Sequence, residues 1–581
     1  YSVDQIDSIL NSKEFKEITQ REVNDDLRYY FKTPEDNASM GTVKFSKGKW
    51  ISSSLPTNIG NPIRLDFDLM NHFSKASGAA NYDFDQLYIP FRCNATDIEL
   101  EEEVVFRSGN LATAIRASMT YPFFVEPIRV DGKLLFDGGI LNNFPSNILY
   151  DDFLPDVILG CNVSENFEEP DEDDFFSLLN IMVTQKTNFD LVCENMVIVN
   201  PEIPVGTFDF DQMDRAIGAS YEETKNRMPE ILSMIERRVS LEERTEARKL
   251  FWSKQTELVF DQVTFSGIDK TQKSYLKKII NKKGGTIGIE QLKRKYFKAF
   301  SDDKIKSIYP TATLNTQTQA YGLHLNVKKE KDLFLEVGGI YSSRPINTGY
   351  IGLKYNLFGK TSSTLWANSY FGKFYGSVSA GARFDFASGI PFSIEPNLVF
   401  NRWDYFTSFA TFFEDVQPSF IVVNERFGGL KFKFPVRNKG RLEMNFDYAE
   451  INDDYYQNTQ FLPVDTADRT RLIVGVASME FDRNTLNRKQ FPNKGTRFNL
   501  TGKVLSGEEQ TIPGSTSSIS DTTYNQREWI AVKLAYTNYF QKLGPLKIGF
   551  HLEGVGSTQP FMRNHVSSLI SAPAFQPIPE S

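Results

Sequence analysis

The sequence predicts a multidomain chain with an α/β layered part, a small β-α-α-β part and an antiparallel transmembrane β-barrel. Three observations carry this. Up to about residue 160, helical periodicity alternates with short apolar strands. Residues 256–329 repeat that alternation on a smaller scale, as strand, helix, helix, strand. Beyond residue 330 helical periodicity stops, and segments of roughly 10 to 15 residues alternate apolar with polar side chains. At 581 residues the chain exceeds what one core holds.

In chain order, "VDQIDSILNSKEFKEI" places Ile6, Ile9, Leu10, Phe15 and Ile18 at helical spacing. "KFSKGKWI" and "NPIRLDFDLMNHF" read as a hairpin or loop excursion leading into a helix. "DQLYIPFRCNATD" is a compact strand, and "LATAIRASMT" an alanine-rich helix that stops ahead of Pro122. "IRVDGKLLFDGG" is strand, Asp-Gly turn, strand, and "DVILGCNVS" a buried strand of the parallel-sheet kind. From about 176 to 255 the pattern is mostly helical, and Ser240 with Glu243 forms a capping box before its last helix. The boundaries that follow are 1–240 for the α/β part, 241–255 for a helical linker, 256–329 for the small part and 330–581 for the barrel.

The barrel reading rests on alternation. "RLEMNFDYAE" puts Leu442, Met444, Phe446 and Tyr448 on one face, and Arg441, Glu443, Asn445 and Asp447 on the other. About twelve such segments follow residue 330, joined by turns rich in Gly, Asn, Asp and Pro. A soluble β-sandwich would use shorter strands, of about 5 or 6 residues. A membrane barrel needs about 9 to 11 residues per strand, with aromatic belts. Segment length, 49 Phe and 24 Tyr in the chain, and the lack of helices there favour the barrel.

Composition narrows the function classes. Hydrophobic residues at 40% and charged residues at 24% indicate folded structure. A net charge of -9 argues against nucleic acid as a partner. The acidic run "EEPDEDD" at 168–174 reads as a surface loop, since it lacks the spacing and glycine of a calcium loop. Cys93, Cys161 and Cys193 read as buried thiols rather than a disulfide framework or zinc site. His72, His324, His551 and His565 show no metal-ligand spacing, so neither a metal, a cofactor nor a Ser-His-Asp triad is expected. No run of 18 apolar residues exists for a membrane helix, which leaves strands as the means of crossing.

The chemistry concentrates in "LLFDGGILNNFP" at 134–145, where an aspartate ends an apolar strand ahead of two glycines. Alone, Asp-Gly-Gly is a common turn signal. Here it follows "FRCNATD" and "FRSGNLATAIRASMTYPFFVEP". These three ordered motifs make residues 91–145 resemble the second half of a patatin-like phospholipase domain. The resemblance implies a Ser-Asp dyad that needs no histidine, with Asp137 as general base. Gly138 and Gly139 would let the backbone turn and leave room for a lipid ester. Asn142, Asn143 and Pro145 are expected to fix the turn, Asp97 to order a loop, and Arg116 and Ser118 to serve helix packing and capping.

The family places its nucleophile in Gly-x-Ser-x-Gly, a pentapeptide this sequence does not contain. "GSVSAG" at 376–381 comes nearest, but Ser377 stands where the first glycine is required. "YSVDQIDSILNS" looks like the helix that follows the serine elbow. The nucleophilic serine is therefore expected upstream of Tyr1, and the chain alone is expected to be inactive.

Residues 256–329 resemble a single POTRA domain, and 330–581 resemble a bacterial surface-antigen barrel of the outer-membrane assembly and secretion type. "FDRNTLNRKQFPNKGTRFNL" at 481–500 is the most specific piece. That family has sixteen strands, so the barrel is expected to be incomplete beyond "SAPAFQPIPES". Together the resemblances imply an outer-membrane-anchored phospholipase A or esterase acting on phospholipid or another acyl ester. The small module would be periplasmic and the hydrolase part periplasmic or at the surface, with a homo-oligomer left open. The alternative is a secretion or assembly barrel carrying the patatin-like part as passenger. A catalytically dead lipid binder is a third reading.

Overall fold

The computed structural model describes residues 2–19, 27–35, 37–45, 61–163, 186–190, 192–203, 205–206, 209–341, 347–372, 375–404, 421–457, 461–488, 492–543 and 546–563. The acidic run 168–174, His565 and the C-terminal "SAPAFQPIPES" lie outside them.

The N-terminal part begins with helices α1 (Val3–Leu10) and α2 (Lys13–Thr19). Ser2 and Gln5 cap α1 reciprocally. Strand β1 (Ser39–Phe45) and helix α3 (Ile63–Ala79) follow. Next come β2 (Cys93–Asp97), β3 (Glu102–Phe106), α4 (Leu111–Ser118), β4 (Ile128–Val130), β5 (Lys133–Asp137) and α5 (Ser146–Phe153). The sheet order is β3-β2-β5-β4, antiparallel throughout. As the sequence predicts, β4 and β5 join through Asp131 and Gly132, at φ 50° and 86°. Positive φ at both central residues defines the turn whose twist suits a hairpin.

A separate pair, β6 (Ile158–Cys161) and β7 (Met196–Val199), is parallel, as the sequence predicts for "DVILGCNVS". Strand β6 is buried on one face only: its Leu159 and Cys161 are exposed. The expectation of three buried thiols is thereby corrected. Cys161 is exposed at the end of β6, while Cys93 and Cys193 are half-buried and all three are free. Helices α6 (Met213–Ser233) and α7 (Leu241–Ser253) lead on, α7 opening with the expected Ser240–Glu243 capping box.

The second module is β8 (Val259–Ser266), α8 (Lys270–Asn281), β9 (Ile287–Gly288), α9 (Ile289–Phe300), β10 (Ile305–Asn315) and β11 (Ala320–Lys329), with sheet order β10-β11-β8-β9. It contains one long strand more than the predicted β-α-α-β order. Pro310 sits inside β10 and weakens its strand signal, yet β10 is an edge strand, where a missing N–H costs no ladder bond.

The module is not a free bead. Ile63, Phe67 and Met70 of α3, at helical spacing, are buried in one cluster with Phe260, Tyr275, Tyr296 and Leu323 of the module. The Tyr309 hydroxyl donates to Thr113 Oγ1 (3.0 Å) and Asn110 Nδ2 to the Ala312 carbonyl (3.1 Å). Glu126 pairs with Lys306 at 3.0 Å and with Lys328 at 2.5 Å. The N-terminal part and the module therefore fold around a shared core.

The remaining strands are β12 (Leu333–Ile340), β13 (Thr348–Phe358), β14 (Ser362–Gly372), β15 (Tyr375–Phe386), β16 (Phe392–Asp404) and β17 (Ile421–Val436). After them come β18 (Gly440–Tyr455), β19 (Asp468–Asn484), β20 (Gly495–Ile512), β21 (Thr523–Leu543) and β22 (Leu546–Ser557). Together with β1 they form one 12-stranded antiparallel sheet in the order β1-β12-…-β22. The sequence predicts about twelve strands after residue 330. Among the described residues eleven form there, and β1, whose last two residues begin the predicted excursion "KFSKGKWI", pairs with β12 as the twelfth.

The polarity of this sheet is inverted relative to a soluble one. Phe446 and Tyr448 are 54% and 64% exposed, whereas Arg441 and Glu443 on the opposite face are 6% and 4% exposed. The same holds along the sheet: Leu353, Leu398, Val504, Ile530 and Phe550 are exposed, while Asp385, Lys433, Asp482 and Glu509 are buried. Pairing keeps the buried charges satisfied, as between Arg527 and Glu509 at 2.5 Å and between Lys433 and Glu395 at 2.8 Å.

Residues 28–35 lie across the polar face. Tyr30 donates to Asp482 Oδ2 of β19 at 2.5 Å, and its ring stacks under Arg441 of β18. Glu35 pairs with Lys433 of β17 at 2.7 Å, and Lys32 with Asp385 of β15 at 3.0 Å. On a flat sheet β15 and β19 would be about 19 Å apart. Residues only two positions apart reach both, so this short segment ties β15, β17 and β19 together across the polar face.

Candidate active site

Asp137 is the last residue of β5, with Ala95 of β2 opposite it. Its backbone is fixed on both sides. The Asp137 N–H donates to the Thr120 carbonyl (2.9 Å), and its carbonyl accepts from Thr96 Oγ1 (3.0 Å). A 3₁₀ turn over Gly138–Ile140 follows, and the Gly139 amide donates to Asp137 Oδ1 at 2.8 Å. Among the described residues Oδ2 makes no hydrogen bond, which leaves it free for an incoming proton. Burial pushes the carboxyl above the ordinary aspartate range, and the Gly139 amide opposes that only in part. The Tyr121 hydroxyl is raised too, by burial and then by the charge of Asp137.

Both glycines are required by space rather than by φ. A Cβ on Gly138 would meet Asn94 Oδ1 at 2.5 Å and its carbonyl oxygen at 2.6 Å. One on Gly139 would meet Asn143 Oδ1 at 2.6 Å. The room expected there for a lipid ester is thus occupied by Asn94 and Asn143. Asn94 is itself held, donating from Nδ2 to the Asn142 carbonyl and to Glu103 Oε1, each at 2.8 Å.

The other residues singled out from sequence fall into place around this loop. The Asn142 amide donates to the Gly138 carbonyl at 2.9 Å, and Pro145 sits at the start of α5, so both shape the turn. Asp97 is buried and accepts from the Glu99 amide at 3.1 Å, ordering the β2–β3 turn. Ser118 is half-buried at the end of α4.

Arg116 does more than pack. Its guanidinium, 2% exposed, donates to Asp66 Oδ1 (2.6 Å), Thr120 Oγ1 (2.6 Å) and the Glu126 carbonyl (2.8 Å). Burial pushes Asp66 up to about 6 against the pull of Arg116. The sequence signal for this cluster is an arginine inside an alanine-rich helix with a threonine four residues on. Asp66 lies fifty positions away, beyond any local pattern. Among the described residues no group of three His, Cys, Asp or Glu side chains is placed to hold a metal.

Residues 13–150, which enclose this whole arrangement, match the family described as Patatin-like phospholipase. This part of the chain is a patatin-like phospholipase domain. The patatin-like domain has curated relatives. An uncharacterised NTE family protein of Mycobacterium tuberculosis is 48% identical over 61 residues, which is 10% of this chain and 17% of the relative. A patatin-like phospholipase domain-containing protein of Caenorhabditis elegans is 40% identical over 67 residues, 11% of this chain and 5% of the relative. Lysophospholipase NTE1 of Cryptococcus neoformans is 34% identical over 79 residues, 14% of this chain and 5% of the relative. The chain thus matches 17% or less of the length of these relatives. Among solved structures, BamA from Haemophilus ducreyi lacking POTRA domains 1–3 aligns at 16% identity and TM-score 0.33, covering 49% of this chain and 56% of that one. CdiB from Acinetobacter baumannii aligns at 11% identity and TM-score 0.29, covering 62% of this chain and 67% of that one.

Proposed function

We propose that the chain belongs to an outer-membrane-anchored lipid acyl hydrolase in which Asp137 is the general base of a Ser-Asp dyad. One observation carries this reading. Within a domain matching the phospholipases, a half-buried carboxylate is locked by its backbone and by Gly139, with one oxygen left open. In the proposed reaction Asp137 Oδ2 takes the proton of the nucleophilic serine as its Oγ attacks the ester carbonyl. The leaving alkoxide recovers that proton, and the same carboxylate then deprotonates the water that releases the fatty acid. The serine is assigned to a Gly-x-Ser-x-Gly elbow by family resemblance. Phospholipid or another acyl ester is the proposed substrate.

The large sheet supports anchoring. An apolar exposed face over the middle of strands of up to 21 residues, with buried charges on the opposite face and the exposed pairs Arg469–Asp454 and Arg471–Glu450 kept near the strand ends, suits a bilayer better than water. The proposed division is hydrolase domain over 1–240, linker over 241–255, POTRA-like module over 256–329 and barrel over 330–581. The module packs at the strand ends joined by 359–361, 387–391 and 437–439, where Gln272 Nε2 donates to the Phe358 carbonyl at 3.0 Å. The opposite ends carry 456–467 and 513–522, so the connections on the module's side are the shorter set on the whole, although 485–494 there also spans ten residues. Outer-membrane barrels keep short turns on the periplasmic side, which favours a periplasmic module and hydrolase domain. The shared core of α3 and the module speaks against a passenger that detaches.

The test is Asp137→Asn in the full-length protein, assayed on phospholipid vesicles. Loss of a general base should lower turnover by about 10²–10⁴-fold. Unchanged turnover would remove Asp137 from the chemistry. Recovery of the hydrolase domain as a cleaved piece in the medium would favour the secretion reading instead.

A further inference from the structure

We propose that Arg116 is a positioning residue for Asp137, holding the base in place through Thr120. The inference rests on the dyad reading given above and names what sets the base in place. The path is short. The Arg116 guanidinium holds Thr120 Oγ1, Thr120 Oγ1 donates back to the Arg116 carbonyl at 2.7 Å, and the Thr120 carbonyl accepts the Asp137 N–H at 2.9 Å. Thr120 is 0% exposed, so this bond has no competing water.

The other two arms of the guanidinium reach the domain contact. Asp66 sits on α3, which is buried against the module, and is faced by Tyr296 and Tyr309. The Glu126 carbonyl is held by Arg116, while the Glu126 side chain pairs with Lys306 and Lys328 of the module. A planar fork presents donors on three separate nitrogens to three spread-out acceptors, whereas an ammonium's three donors radiate from a single atom. Arg116 does not face the open Oδ2 of Asp137. Among the described residues, Tyr121 is the titratable group whose hydroxyl feels the charge of Asp137. Arg116 therefore acts through Thr120 and not on substrate.

Two variants test this without removing the charge that keeps Asp66 paired. Arg116→Lys keeps that pair but cannot span all three acceptors, and Thr120→Val removes only the hydroxyl that links the clamp to the base. Lys328→Gln loosens the domain contact and leaves the clamp alone. In the full-length protein on phospholipid vesicles, Arg116→Lys and Thr120→Val should lower kcat by ~10²-fold, the cost of a small misplacement of a catalytic group. KM should stay within about twofold. The acid limb of the pH profile should move down, toward an ordinary carboxylate, as Asp137 becomes better solvated. In the 581-residue chain itself, amide exchange of the 134–142 segment should quicken in both variants and not in Lys328→Gln. Wild-type exchange and an unmoved pH profile in both variants would overturn the proposal, as would equal effects in Lys328→Gln. If Asp137→Asn leaves turnover intact, the dyad reading fails, and the exchange measurement still decides whether Arg116 positions the loop.

Discussion

Replacing Phe67 with alanine probes whether the patatin-like domain and the second module are one folding unit. Phe67 is 0% exposed, and its ring centre lies 5.0 Å from that of Tyr296 and 5.9 Å from that of Phe297, both in the module. Truncation removes a full ring from a closed core and should cost about 3–5 kcal/mol. The upper half of that range is expected because the cavity wall cannot collapse easily. Tyr296 is pinned by its hydroxyl, which donates to the Ile308 carbonyl at 2.5 Å and to the Ile63 carbonyl at 3.3 Å. The assay is amide exchange of the detergent-solubilised chain in increasing urea, followed separately for 63–79 and for 259–329. Both segments should lose protection together, by the same amount. Loss confined to one segment, or a change below about 1 kcal/mol in either, would refute a shared core and reopen the passenger reading.

Other outcomes follow from the same geometry. Gly138→Ala forces a Cβ to within 2.6 Å of the Asn94 carbonyl oxygen, so it should destabilise by about 1–3 kcal/mol by thermal melt and abolish turnover in the full-length protein. Burial opposes ionisation of Glu126, yet Lys328 and Lys306 hold its carboxyl below the ordinary range. A lowered acid stabilises the fold above its unfolded pKa, about 4.3, and that contribution is lost as pH falls through the lower folded value. Exchange protection of 305–329 should therefore weaken more on acidification in wild type than in Glu126→Gln. Phe446→Arg places a charge on the exposed apolar face, at a cost of about 2–4 kcal/mol if that face meets the middle of a bilayer. Folding into lipid vesicles, read by heat-modifiable gel mobility, should fail or slow, and unimpaired folding would contradict the membrane reading.

Local chemistry was legible in the sequence wherever neighbours along the chain decide the outcome. The Asp131–Gly132 hairpin, the Ser240 capping box and the alternation of β18 depend on bonds and periods that span a few residues. The place of Asp137 at a strand end was legible for the same reason, since it closes an apolar run and is followed by two glycines. Less legible were elements whose partners are remote. Pro310 disguised β10, because sequence does not reveal that a strand will lie at a sheet edge. Residues 39–45 gave no sign of joining β12, nearly three hundred positions away.

By itself the sequence determined the order of architectures, the inverted alternation of the large sheet and the identity of the carboxylate at the end of β5. Each follows from local periodicity, turn chemistry or an ordered run of motifs. Only the tertiary structure decided why Gly138 must lack a side chain, which groups hold Arg116, and that α3 and the module bury one core. Those depend on approaches of a few ångströms between residues as distant as Asp66 and Arg116 or Phe67 and Tyr296. Close packing creates such contacts, and no local pattern encodes them.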